Sequence, residues 1–290
     1  GGSMARSRVT SSSEVSATVG GNMSDSTLFA GDSDIVLDLT GSMANSILTS
    51  GEGVTAVIGG SVAGSVFEGS EDDISLTIGG SLLNSEVISG SYDIIAAIGQ
   101  NVGNPPFLCP ESGVTLTIGG SMIDSDAAGD GGTAVIGGSM VRSSYFSDEG
   151  DLTLAIGGNM VDSRASSGSE DVTAVVGGSV LNSRFFAPES DVSLTIGGIM
   201  RDSEISADDT LIVAAALQRT RIDSDSGTTL NVTGDMVQTT VVAGDEVTAI
   251  VGGNYTGSYI NSEGSTTLTV GGNFASGVTS YGGSLTLAVG

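Results

Sequence analysis

The sequence predicts an all-β chain: a single-domain parallel β-helix, or β-solenoid, of about 15 turns of 17–20 residues. Three observations carry that prediction. A small-residue pair, usually Gly-Gly, recurs at nearly constant spacing through all 290 residues. A short stretch of alternating apolar and polar residues precedes each pair. Apolar side chains then return at fixed offsets after it.

The first residue of the pair falls at 1, 20, 40, 59, 79, 99, 119, 137, 157, 177, 197, 214, 233, 252, 271 and 290. Residues 1–290 are thus tiled as one continuous array, with no linker or second domain left over. We count that residue as position 0. Position −1 is Val, Ile or Leu throughout, and position −3 is Ala or Leu. Position −4 is Ser or Thr except at Val36 and Ile95. Period-2 alternation therefore points −1 and −3 inward, and −2 and −4 outward.

After the pair, position +3 is Met, Val, Leu, Tyr or Phe, and it holds all eight Met residues. Position +6 is Ser or Thr except at Pro105 and Gly277. A larger apolar residue follows near +8, as at Phe67, Phe185 and Ile205, and a polar turn leads to the next strand. The Gly pair is expected to supply left-handed or tight-corner geometry. Units of this length are too short for a helix pair, and β-branched alternation is wrong for helices. Strands stacked at ~4.8 Å per turn predict a rod of roughly 70 Å.

A second period is superposed. Position −3 alternates Ala17, Leu37, Ala56, Leu76 and onward to Leu194, as expected from a duplicated two-turn unit whose small and large layers fill the core. The alternation breaks at Leu211 and Leu230, where one interval shortens to 17.

Composition excludes several classes. Asp and Glu number 34 against 8 Arg, with no Lys or His, for a net charge of −26. Such a surface repels phosphate backbones and anionic membranes. Disorder is excluded by the strict apolar placement and a mean hydropathy of +0.25. One Cys rules out an intrachain disulfide framework. The opening Gly1-Gly2-Ser3-Met4 does not read as a signal peptide. The longest apolar run, 211–217, is too short to span a bilayer. Because the chain begins and ends in the same phase without a capping turn, it is expected to be a segment of a longer chain or of a polymer.

Four features carry candidate chemistry. Asp151, Asp171 and Asp191 recur at position −6 in successive turns. A Ca²⁺ ion would relieve their repulsion, whereas solvated turn residues would need none. The hydroxyls at +6 form a column that can bond along the stack, but no base accompanies them as a nucleophile requires. Arg164, Arg184, Glu204 and Arg221 fall in one column at +7, an expected cross-turn ion-pair ladder with Glu204 between two Arg. The outward strand face bears pairs such as Thr55/Val57, Thr133/Val135 and Thr173/Val175. That face reads as a lateral packing surface, an ice- or sugar-binding plane, or an ordinary exposed sheet. The run from Gln100 to Pro110 holds three of the four Pro residues, so it is expected to leave the strand ladder. Pro105, Pro106 and Cys109 there are candidate contact residues, with Cys109 a candidate crosslink.

The segment Ile118 to Ser125, Ile-Gly-Gly-Ser-Met-Ile-Asp-Ser, followed by a polar turn and a strand, resembles the repeats of giant bacterial extracellular β-solenoid proteins. Filamentous-haemagglutinin-type surface adhesins are similar in repeat length and architecture, although their repeat consensus differs. The resemblance implies secretion and a role in adhesion, sheath or filament formation. The expectation is a non-catalytic structural or adhesive rod, extracellular or at the cell surface, without a cofactor beyond the Ca²⁺ candidate. Its partners would be copies of itself or cell-surface and matrix components, not nucleic acid or a membrane interior. The alternatives are a carbohydrate- or ice-binding module and, third, a β-helical polysaccharide-active enzyme.

Overall fold

Alternating sequence becomes strand in every turn. A computed structural model describes residues 2–290. Each turn contributes a long strand, as in Val54–Ile58, a two-residue corner strand, as in Val62–Ala63, and a return strand, as in Val66–Gly69. Three short strands per turn bend the chain around a core. Each pairs in parallel with its counterparts one turn away, so that Ala56 lies between Leu37 and Leu76. The architecture is a parallel β-solenoid of about 15 turns, and the described residues contain no helix. None is therefore long and apolar enough to cross a membrane.

The residues gather into two compact units, 1–148 and 149–290. Seven long strands fall in the first, from Val15–Val19 to the one within Asp126–Ile136. Eight fall in the second, from Leu152–Ile156 to Leu285–Val289.

In every turn but the last, whose strand Leu285–Val289 is exposed throughout, the long strand points three residues inward, one more than the period-2 reading identified. Ile74, Leu76 and Ile78 are all buried. The residue at +3 and the residue at +8, such as Met122 and Phe107, complete the apolar filling. Burying one such side chain contributes about 1.5–3 kcal/mol, while ordering each backbone residue costs about 1–2 kcal/mol. A lone turn cannot offset its own ordering. A stack can, because each inner turn is covered on both sides.

The structure corrects the expected role of the Gly pair. The left-handed residue sits at +5, where φ is +47 to +61° in fourteen turns. Asn and Asp dominate there, as at Asn45, Asn84, Asp124 and Asp202, because their short side chains tolerate this conformation. The pair is needed for close approach instead. A Cβ on Gly79 would come within 3.0 Å of the Gly59 carbonyl oxygen one turn below.

Two register corrections follow. Ile196 pairs with Ala214 and Leu194 with Ile212. Ala214 is therefore an inward strand residue, and Leu211 points outward, 44% exposed. The turn lost one residue at the corner, between Ile196 and Ile199, so Ala215 alone replaces the pair. The last turn lost one residue too, between Thr256 and Tyr259. Ser276, not Gly277, thus occupies the hydroxyl column and accepts from the Ser258 amide at 2.9 Å.

The proline-rich run also stays in the ladder, contrary to expectation. Pro106–Ile118 is one continuous strand, with Phe107 opposite Val87 and Leu108 opposite Ile88. Proline loses a donor here without breaking the stack, because Pro105 takes a buried place in the hydroxyl column, where the chain turns between strands. The neighbouring Asn104 amide donates to Ser125 Oγ at 3.1 Å instead.

Candidate interaction surfaces

With the interior filled, the chemistry of the chain lies on columns of side chains repeated turn by turn. The hydroxyl column at +6, in which Pro105 takes one place, is buried from Ser26 to Ser258. The Ser26 amide donates to Ser46 Oγ, the Ser46 amide to Ser65 Oγ and the Ser65 amide to Ser85 Oγ, at 3.1–3.2 Å. The buried hydroxyls donate in turn to the carbonyl two residues earlier, as Ser46 does to Ala44 at 2.8 Å. The column satisfies backbone amides at a corner where the strand ladder is interrupted.

Cys109 belongs to a second buried column, at +10, filled elsewhere by Ser, Ala or Gly. Its Sγ donates to the Tyr92 carbonyl at 2.8 Å, and burial pushes the thiol above its ordinary range. The expectation of an exposed crosslink at Cys109 is therefore corrected. The thiol faces the core, because period-2 alternation along the strand puts Leu108 and Pro110 outside. Of the three candidate contact residues in this run, only Pro106 is partly exposed.

The acidic column has an evident structural task. Asp151 accepts the Asp171 amide at 3.3 Å, Asp171 the Asp191 amide at 3.0 Å and Asp191 the Asp209 amide at 3.3 Å. Each carboxylate thus caps the start of the next turn's strand. Among the described residues, no three Asp, Glu or Cys side chains converge as a metal-holding set. Desolvation, and then the charges of Asp171, Asp209 and Asp208, hold the Asp191 carboxyl above the usual carboxylate range, against the lowering effect of the Asp209 amide.

The +5 column, which the sequence pattern did not single out, is a ladder of exposed polar pairs. Asn45 Nδ2 donates to Asp25, Asn182 Nδ2 to Asp162, and Arg142 and Arg219 make two-bond pairs with Asp124 and Asp202. The alternation of donors and acceptors along +5 was the available signal. The +7 ladder forms in part. Arg164, Arg184, Glu204 and Arg221 stack in that order. Arg184 pairs with Glu204 at 3.3 Å, but Arg221 turns along its own strand to Asp223 at 2.5 Å. Glu204 is therefore not bridged between two Arg.

The outward face of the long strands differs from every other surface. Register brings Thr55, Val57, Thr133 and Val135 onto one face of the first unit. Thr173 and Val175 lie on the corresponding face of the second. Val57, Val135 and Val175 are 46–50% exposed. Asp38 is the sole charged residue at the outward positions of these strands among the described residues. Beside this face in the second unit runs a groove of about 760 Å³, lined by hydroxyls of Thr173, Ser193 and Thr248 and carboxylates of Asp171, Asp191 and Asp209. No model of a known protein family, no curated protein and no solved structure matches the chain.

Proposed function

We propose that the chain is a non-catalytic structural and adhesive segment of an extracellular fibre, sheath or giant surface protein. One observation carries this reading. A chain with 34 acidic residues leaves the broad face of its long strands almost free of charge. Random placement would put several carboxylates there. An uncharged face of Thr and Val lets two strongly acidic molecules approach side by side without burying unpaired charge. A face of seven strands, each five residues long, covers about 500 Å² per partner. That brings a single unit near the area of a specific contact, about 1,000 Å² in total. Assembly, adhesion and an extracellular or cell-surface location go together in this reading.

The test is electron microscopy with sedimentation of the purified chain. Side-by-side association is expected, and Val57→Asp, Val135→Asp and Val175→Asp together should reduce it to single chains. Isolated chains at every concentration, unchanged by the substitutions, would sink the reading.

The groove beside Thr173 favours a second reading, a carbohydrate-binding module, because its rows of hydroxyls and carboxylates suit a polyhydroxylated chain. An ice-binding plane is disfavoured by Asp38 and Asn231 and by the mixing of Val with Thr.

A further inference from the structure

The positive charge of this molecule is concentrated in one place. Five of its eight Arg residues, Arg164, Arg184, Arg201, Arg219 and Arg221, lie within four consecutive turns of the second unit. Two are well spent. Arg219 grips Asp202 with two bonds of 2.6 and 2.7 Å, and Arg221 pairs with Asp223 at 2.5 Å. Two others hold donors in reserve. Arg184 makes a single 3.3 Å contact with Glu204, and its side chain is 71% exposed. Arg164 has no ion pair among the described residues; its guanidinium lies over the Phe186 ring, 5.6 Å from the centroid.

These groups surround a niche of about 270 Å³ on the return-strand face. Phe186 forms one wall, and it stands above the surface because its neighbours one turn away are Ser166 and Ser206. Phe185, Ser206, Arg164, Arg184, Glu204 and Asp223 complete its lining. The composition discriminates among ligands. A small inorganic anion would meet two carboxylates. A neutral apolar group would meet four charges. A sugar ring bearing a carboxylate meets neither objection. Its C–H face packs on Phe186, its carboxylate takes the reserve donors of Arg164 and Arg184, and its hydroxyls donate to Glu204 and Asp223.

We propose that this niche binds one ring of an acidic polysaccharide, a uronate-type sugar. The site is independent of the uncharged face, so it stands whether or not the chains associate laterally.

Calorimetric titration of the whole chain at low salt tests it, with tetragalacturonate as the probe and its methyl ester as the neutral counterpart. The acid should bind and the ester should not. Phe186→Ala, and separately Arg164→Gln with Arg184→Gln, should each weaken it about tenfold or more. Arg8→Gln, in the other unit, should leave it unchanged. Thermal melting verifies that each variant folds, and the Arg pair, being exposed, provides a readout if Phe186→Ala does not. The proposal is overturned by absence of binding at millimolar acid, by equal binding of the ester, or by variants that bind like the parent. It is equally overturned if the Arg substitutions alter only self-association in the ultracentrifuge, which would make an acidic protein surface the partner.

Discussion

The thiol of Cys109 donates to the carbonyl oxygen of Tyr92 at 2.8 Å, and the Ser50 hydroxyl makes the same bond to Ser33 three turns earlier. The one Cys of the chain is thus a serine substitute in a buried small-residue column. Ser280 repeats the bond with Gly264 at 2.6 Å.

Cys109→Ser should therefore leave the melting temperature nearly unchanged, while Cys109→Leu should cost about 1–3 kcal/mol by overpacking. The native thiol should resist a thiol reagent until the chain is unfolded. Rapid labelling of the folded protein would contradict the buried placement.

Ser46→Ala should destabilise by about 1–3 kcal/mol, because it leaves the Ser26 amide without its side-chain acceptor. Ser46→Thr should be close to neutral, since Thr220 and Thr239 already occupy the column. Chemical denaturation of the three proteins distinguishes a bonding role from one of size alone.

Glycine should act with opposite signs at the two corner positions. Gln238 sits at φ +50° and makes no side-chain bond there, so Gln238→Gly should stabilise by about 0.5–1 kcal/mol. Gly79→Ala should destabilise by about 1–3 kcal/mol, since its Cβ meets backbone rather than a movable side chain. Equal effects at both sites would refute the separation of the left-handed position from the close-approach position.

Two sets of carboxylates should mark the pH dependence in opposite senses. The folded state holds a proton on Asp191 more tightly than the unfolded chain does. Stability from this group therefore falls as pH rises from the ordinary carboxylate value through the raised one. Asp191→Asn keeps the acceptor for the Asp209 amide without the charge. It should stabilise slightly at neutral pH, by about 0.5 kcal/mol or less, given the exposure of the site. Asp124 and Asp202 are held low, first by the hydrogen bonds from Arg142 and Arg219. Their contribution is present above the ordinary carboxylate value and is lost as pH falls through the depressed one. Melting curves across pH for Asp191→Asn and Arg142→Gln check both signs; a destabilised Asp191→Asn at neutral pH would refute the first.

Much of this fold was legible because a solenoid writes the same instruction in every turn. Inward positions such as Leu37, Ala56 and Leu76 face one core, so their chemistry repeats in phase. Where a turn lost a residue the text became ambiguous. Val213 and Ala214 are both apolar, and the pattern alone assigned the wrong one to the interior. Hydrogen bonding of whole strands resolved it, since one slip would move every side chain of Thr210–Gln218 to the opposite face.

The amino-acid sequence by itself determined the class, the period and most of the inward columns, because strand alternation and turn length are local properties. Only the tertiary structure decided what the polar columns do. Which amide Asp171 accepts, whether Cys109 faces solvent or core, and which corner residue is left-handed depend on atoms one turn away, about 20 residues off in the chain. The gathering of Arg164, Arg184 and Phe186 around one niche is of the same kind. Parallel stacking converts a sequence separation of one turn into contact distance; the repeat pattern gives which residues stack, but the rotamers and partners they then adopt depend on the stacked neighbours.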